Sequence, residues 1–329
     1  MSAPTQLVIL AGMLGSGKTS LIEALLASET VDVATAVIVN EVGAVNIDGA
    51  ILSQSARGAT LATLSNGCVC CSLSNDLVTT IDDLVSTRKL ASLPPFERIV
   101  LECSGLSKPG QVVLALSQLA ALSLRVHIVA TYDCTRPPAE SDDANDAIAQ
   151  IGAAHTIVLT KTDLVDHHLR LLAADTARVL NPLARIVNEL SFSARANESF
   201  RHLDDLTGTE PLLIDESAPR PRALLHPRVR VYRARIASWP DWHDVLDWLE
   251  NVAGTMGNRL LRMKAIVPGG TPSHQVLLQS VGTTFAAPRQ LSSTDAFENA
   301  VVFIVRDFAL DEAEEIESAF PVEWSVLQR

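Results

Sequence analysis

The sequence is short of aromatic side chains, of lysine and of positive charge. Aromatics make up 4% of 329 residues, so it offers no platform on which single-stranded nucleic acid would stack. Lysine occurs five times, and 26 Lys+Arg against 38 Asp+Glu leave a formal net charge of −12. That field repels phosphate backbones, and nucleic acid is not expected as a partner. Long apolar runs are missing too. The longest, Val112 to Leu124, is interrupted by Ser117, Gln118 and Ser123 and falls short of the roughly 20 residues of a spanning helix. No membrane association is expected. The apolar run Leu7–Ala11 has no basic segment before it and passes straight into a Gly-rich loop, unlike a secretion signal. Cysteine is scarce and odd in number, five residues with three crowded between positions 68 and 71. That is no disulfide framework, and the chain reads as soluble and cytoplasmic.

What is present is enough to build cores: 47% apolar and 19% charged residues over a length that suggests two domains at about 150 residues each. The first two hundred residues alternate short apolar strands with helical stretches. Strands are expected at Leu7–Leu10, Ala36–Val39, Arg98–Cys103, Val126–Tyr132, Thr156–Leu159 and Arg185–Val187. Helices are expected at Ser20–Ala27, Ser74–Ser86, Gly110–Ala121, Asn145–Gly152 and Asp166–Leu180. This rhythm implies an α/β fold with a mostly parallel sheet covered on both faces. Pro211, Pro219, Pro221 and Pro227 mark a linker. Beyond it, strands at Arg228–Ile236, Leu260–Val267, His274–Val281 and Ala300–Val305, with helices at Trp239–Val252 and Leu310–Ala319, suggest a smaller α+β domain. The expected boundaries are 1–206, linker 207–227, and 228–329.

Three motifs follow strands of the first domain. Gly12-Met-Leu-Gly15-Ser16-Gly17-Lys18-Thr19 fits G-x-x-x-x-G-K-[ST] between a strand and a helix, with Ser20 behind it in the first turn. Glycines let backbone N–H groups converge on phosphate oxygens, Lys18 reaches the β- and γ-phosphates, and Thr19 offers a hydroxyl to Mg²⁺. Glu102 ends an apolar strand where a Walker-B acid would hold Mg²⁺, and Gly105 is placed to offer its N–H to a γ-phosphate. Thr160-Lys161-Thr162-Asp163 is similar to the N-K-x-D element that reads guanine, with Thr160 in place of Asn. Asp163 would accept from the guanine N1–H and amine while Lys161 covers the base, which favours GTP and GDP as the nucleotides.

Cys68-Val69-Cys70-Cys71 places three thiols within four residues, a donor set for a soft ion such as Zn²⁺. It leaves a fourth position for a ligand from elsewhere, and Glu41 in Asn40-Glu41-Val42-Gly43 is a candidate. Asp48 is a candidate for contact with Mg²⁺ or the attacking water. Taken together, these motifs resemble the CobW-type metallochaperone GTPases, relatives of the urease- and hydrogenase-maturation GTPases. Leu260-Leu-Arg262-Met-Lys264-Ala265 and Val301-Val-Phe-Ile resemble elements of that family's C-terminal domain. The resemblance implies a P-loop NTPase fold and GTP hydrolysis coupled to binding of Zn²⁺ or Co²⁺. It also implies delivery of the ion to a client metalloprotein; the chain itself is expected to be a monomer or homodimer. It carries the metal to Cys70, Cys71 and Glu41. Met13, Val42, Ala44 and Ala265 depart from the family's usual residues, and the linker has no His-rich run. Two alternatives are a non-delivering scaffold that activates a metalloenzyme such as nitrile hydratase, which needs the same parts, and a P-loop small-molecule kinase, which shares the phosphate loop but would need an Arg-rich lid that the scattered Arg57, Arg88 and Arg136 do not suggest.

Overall fold

The computed structural model describes residues 4–27, 34–40, 60–64, 73–137, 144–201, 226–269, 274–291 and 298–327. The chain divides into two compact units, Met1–Ala177 with Ala184–Leu206 and Arg178–Leu183 with Thr207–Arg329.

The first unit is built on a 7-stranded sheet. Its strands are β1 (Gln6–Gly12), β2 (Thr35–Asn40), β3 (Thr60–Leu64), β4 (Arg98–Glu102), β5 (Arg125–Asp133), β6 (Thr156–Thr160) and β7 (Arg185–Val187). They run parallel in the order β3-β2-β4-β1-β5-β6-β7. Helices α1 (Lys18–Ala27), α2 (Leu73–Leu90), α3 (Pro109–Leu116), α4 (Ala144–Ala153), α5 (His167–Leu180) and α6 (Phe192–Arg201) accompany them. Period-two alternation sends Val8, Leu10, Val37, Val100, Val129 and Val158 to one face, where they pack with Leu21 and Leu25 of α1 and with Phe200 of α6. Leu7, Ile9, Ile38 and Ile128 point the other way and are equally buried, on the side where α4 lies against β1 and β5. Burial on both faces is why these strands read as unbroken apolar runs. Each such Leu, Ile or Val contributes roughly 1.5–3 kcal/mol by leaving water.

The second unit holds a 7-stranded antiparallel sheet: β8 (Val229–Ile236), β9 (Leu260–Pro268), β10 (Gln275–Val281), β11 (Thr284–Phe285), β12 (Arg289–Gln290), β13 (Ala300–Arg306) and β14 (Val322–Val326). Their order is β11-β10-β9-β13-β8-β14, with β12 on β10. Helices α7 (Trp242–Met256) and α8 (Leu310–Glu314) complete it. Asp241 caps α7 by accepting from His243 N–H at 2.9 Å. Trp248 then enters the core edge-on to Phe303 and Phe320, with ring centroids 6.3 and 5.6 Å away.

Three details differ from expectation. The helix expected over Leu310–Ala319 stops at Glu314. Asp311, Glu312, Glu314, Glu315 and Glu317 crowd like charges at helical spacing, and Pro321 follows. The helix expected over Gly110–Ala121 is α-helical only to Leu116 and tightens to 3₁₀ over Ser117–Leu122, where the Ser117 hydroxyl donates back to Leu114 O at 2.7 Å. Strands β3, β11, β12 and β14 and helix α6 were not anticipated: β3 is Thr-Leu-Ala-Thr-Leu without a continuous apolar run, β11 and β12 are two residues each, and the Val322-Trp324-Val326 alternation and the Phe192-Ala196-Phe200 stripe are short signals.

Candidate functional site

The loop between β1 and α1 sits where parallel pairing delivers it. Register places Leu10 opposite Glu102 on one side and Gly12 opposite Thr131 on the other. Gly12 has φ +145°, and a Cβ there would overlap Thr131 Oγ1, so the close approach of β5 requires glycine. Ser16 Oγ and Thr131 Oγ1 lie 2.6 Å apart, and Ser16 Oγ lies 2.7 Å from Met13 O. The Lys18 ammonium turns back over the loop and donates to Gly12 O at 2.9 Å and Met13 O at 3.0 Å. Only 7% of Lys18 is exposed. A positive charge is thereby held among converging backbone groups at a helix N-terminus, a ready anion site. Ser20 is exposed in the following turn.

Across the loop, Thr19 Oγ1 donates to Glu102 Oε1 at 2.8 Å. Glu102 is 5% exposed. A hydroxyl and a carboxylate oxygen at that separation form a hard-oxygen pair of the type Mg²⁺ takes. Past Glu102 the chain crosses directly behind the phosphate loop. A Cβ on Gly105 would lie 2.6 Å from Leu14 N, which leaves glycine alone able to fit.

The Thr160–Asp163 segment is tied to the same loop. Thr160 Oγ1 donates to Ser16 O at 2.7 Å and approaches Tyr132 O at 3.1 Å. Lys161 has φ +54°, a costly conformation for a side-chain-bearing residue, and its Nζ lies 2.6 Å from Asp133 Oδ2. Asp133 is itself held by Thr135, which donates through N–H and hydroxyl at 2.9 and 2.6 Å. Arg195 supports the segment from below, donating to Thr162 Oγ1 at 2.6 Å and to Glu189 O at 3.0 Å. Burial lowers the Arg195 pKa below the ordinary guanidinium value, and the charge of Asp163 opposes that shift. Asp163 is exposed.

Gly12, Gly15, Ser16, Gly17, Lys18, Thr19, Ser20, Glu102, Gly105, Lys161 and Asp163 thus lie at the carboxyl ends of β1, β4 and β6, on the loops that follow them or in the first turn of α1. Glu41, Asp48, Cys68, Cys70 and Cys71 lie outside the described residues. Among the described residues no group of three or more His, Cys, Asp or Glu side chains could hold a metal ion. None of their helices is long and apolar enough to cross a membrane. Thr131, Asp133, Gln150 and Arg195 were not anticipated. Asp133 had a detectable signal, a carboxylate ending an apolar strand, whereas the others stand in ordinary helical or strand surroundings.

A parallel sheet with a phosphate loop after its first strand defines a P-loop nucleotide-binding protein. Residues 6–188 match the family described as CobW/HypB/UreG, nucleotide-binding domain, and residues 233–321 match the Cobalamin synthesis protein cobW C-terminal domain. The chain belongs to the CobW/HypB/UreG family. It is 32% identical over 186 residues to the zinc chaperone YjiA of Escherichia coli (strain K12), covering 56% of this chain and 55% of that protein. It is 30% identical over 192 residues to the zinc-regulated GTPase metalloprotein activator 1 of Schizosaccharomyces pombe, covering 56% of this chain and 45% of that protein. The chain therefore spans about half the length of the curated relatives it matches. The crystal structure of Zn(II)-bound YjiA GTPase from E. coli shares its fold, with TM-score 0.66 at 20% identity, over 96% of this chain and 100% of that one.

Two cysteines near the site are chemically quiet. Burial pushes the Cys103 thiol up to about 12, Lys18 opposing and Glu102 adding to it. Burial likewise pushes Cys134 up to about 11. Raised values keep both protonated at pH 8, where ordinary thiols are partly thiolate. Iodoacetamide at pH 8 should leave Cys103 and Cys134 unmodified in the folded protein and alkylate both in denaturant, as read by peptide mass spectrometry. Rapid alkylation of either in the native state would contradict this arrangement.

Proposed function

We propose that this chain is a GTPase that binds Zn²⁺ or Co²⁺ as cargo and passes it to a client metalloprotein in the cytoplasm. The GTPase part is assigned to 1–206, the linker to 207–227 and the family's C-terminal domain to 228–329. The observation that carries the nucleotide half is the joining of three loops. Thr19 is bonded to Glu102 at 2.8 Å, and Thr160, at the head of the base-reading segment, is bonded to Ser16 at 2.7 Å. A ligand with phosphates at one end and a purine at the other spans such a frame.

Lys18 and the loop N–H groups would neutralise the phosphates, with Gly12, Gly15, Ser16, Gly17 and Ser20 shaping that cradle. Thr19 and Glu102 would hold Mg²⁺, which supplies charge neutralisation at the β- and γ-oxygens when bound. Gly105 N–H is assigned to the terminal phosphate, Asp48 to the attacking water or Mg²⁺, and Asp163 with Lys161 to guanine. Asp163 carboxylate oxygens accept from the guanine N1–H and amine, groups adenine does not present there. Isothermal titration should give GDP tighter binding than ADP by at least about tenfold, since unpaired polar groups in such a site cost on the order of 1–3 kcal/mol. Equal affinities would move the reading to an ATP-dependent enzyme.

The metal half rests on ligand chemistry. Cys70 and Cys71, with Cys68 or Glu41, supply soft thiolates and a carboxylate to a tetrahedral ion. The zinc named for the relatives YjiA and the fission-yeast activator supports this. Cobalt loading should produce a thiolate charge-transfer band that a Cys70→Ala, Cys71→Ala double variant lacks while still binding GDP. An undiminished band in the double variant would refute the site.

A further inference from the structure

Gln150 stands on α4 with 1% of its surface exposed. Its Nε2 donates to Gly105 O at 2.8 Å and to Ser107 O at 3.0 Å, both on the loop that follows Glu102. Within that loop Ser107 N–H donates to Ser104 O at 3.1 Å, and the Ser104 and Ser107 hydroxyls lie 2.8 Å apart. It is a closed turn, gripped from behind by one amide. Its opposite side meets the phosphate loop, because Gly105 approaches Leu14 N more closely than a Cβ would allow. Gly105 is thus held between the phosphate loop and α4.

The orientation of the Gln150 amide follows from its neighbours. Two carbonyl oxygens face Nε2, and a flipped amide would set oxygen against oxygen. Oε1 is consequently turned the other way, buried and without a hydrogen-bond partner. Gln150 lines a small pocket together with Met13 and Leu14 of the phosphate loop, Asp133 at the end of β5 and Arg136 beyond it. An unmatched buried acceptor is unfavourable, and an apolar side chain of the same length would pack this position without it. The amide is explained by what it holds.

We propose that Gln150 is a positioning residue for the terminal phosphate of the nucleotide. It fixes the Ser104–Ser107 turn at the depth where the Gly105 N–H meets that phosphate, and it acts through the turn without touching the ligand. The proposal rests on the assignment of Gly105 given above. A nucleoside diphosphate uses the phosphate loop and Lys18, whereas the triphosphate also needs the turn. Gln150 therefore bears on one nucleotide and not the other.

The test uses the full chain, with Gln150→Met and Gln150→Glu as variants and the amide NMR signal of Gly105 in the wild type as a reference. Both substitutions keep the length of the side chain; Met removes the donors, and Glu sets an acceptor against the two carbonyls. The measurements are dissociation constants for GDP and for guanylyl imidodiphosphate, with kcat and KM for GTP. GDP affinity should stay within about twofold of the wild type. Affinity for guanylyl imidodiphosphate should fall at least about tenfold, equivalent to about 1.4 kcal/mol, and kcat should fall with it. Equal loss of both affinities would mean that Gln150 only supports the fold, and would overturn the proposal. No loss in the Gln150 variants, with a Gly105 amide signal that shifts between the GDP and guanylyl imidodiphosphate states of the wild type, would also overturn it, while leaving the Gly105 assignment standing. No loss in either Gln150 variant and no shift of the Gly105 amide signal between the two nucleotide states would remove both.

Discussion

The parallel pairing of β1 with β4 is the constraint on which the rest of the site depends. It sets Leu10 beside Glu102, and Cys103 N–H donates to Leu10 O at 2.9 Å. The carboxylate therefore arrives level with the first turn of α1, within 2.8 Å of the Thr19 hydroxyl. Side chains alternate along a strand, so a slip of one residue would send Glu102 to the opposite face and leave Thr19 without it. That register is enforced by fully buried residues on both faces, Leu7 and Ile9 on one and Val8 and Leu10 on the other. The site is anchored by the core beneath it.

The same logic joins the chemistry at the two ends of the nucleotide frame. Pairing of β1 with β5 sets Gly12 against Thr131, and pairing of β5 with β6 sets Asp133 against Thr160. The salt bridge from Asp133 to Lys161, 2.6 Å long with Asp133 nearly buried, holds a lysine in a left-handed backbone conformation. Strain of that kind persists where surrounding bonds over-determine it. Here they are Thr160 to Ser16, Lys161 to Asp133 and Arg195 to Thr162.

Much of this was legible in the residues, because each motif fell directly after a strand whose β-branched or leucine-rich run was plain. Leu7–Leu10, Ile99–Leu101 and Thr156–Leu159 are buried on both faces, so periodicity and position agreed. What escaped reading was held by long-range contacts. β3 is Thr-Leu-Ala-Thr-Leu at the sheet edge, with no continuous apolar signal. Gln150 and Arg195 lie on helices whose sequence looks ordinary, and their importance comes from partners 45 and 33 residues away. Thr160 departs from the usual Asn, and its hydroxyl bond to Ser16 O gives the physical reason a threonine serves there. The acidic stretch after Leu310 read as helix because spacing alone ignores repulsion between successive carboxylates.

The proposed function, a GTPase that binds and passes on a metal ion, requires that nucleotide state and metal binding be energetically linked in this chain. The most direct test measures Zn²⁺ affinity, by competition with a chromophoric chelator, in the GDP-loaded protein and in the protein loaded with guanylyl imidodiphosphate. The account predicts affinities that differ by a factor in the range of about 5–150, with the reciprocal effect of Zn²⁺ on the ratio of the two nucleotide affinities equal to that factor. Identical zinc affinity in both nucleotide states would contradict it.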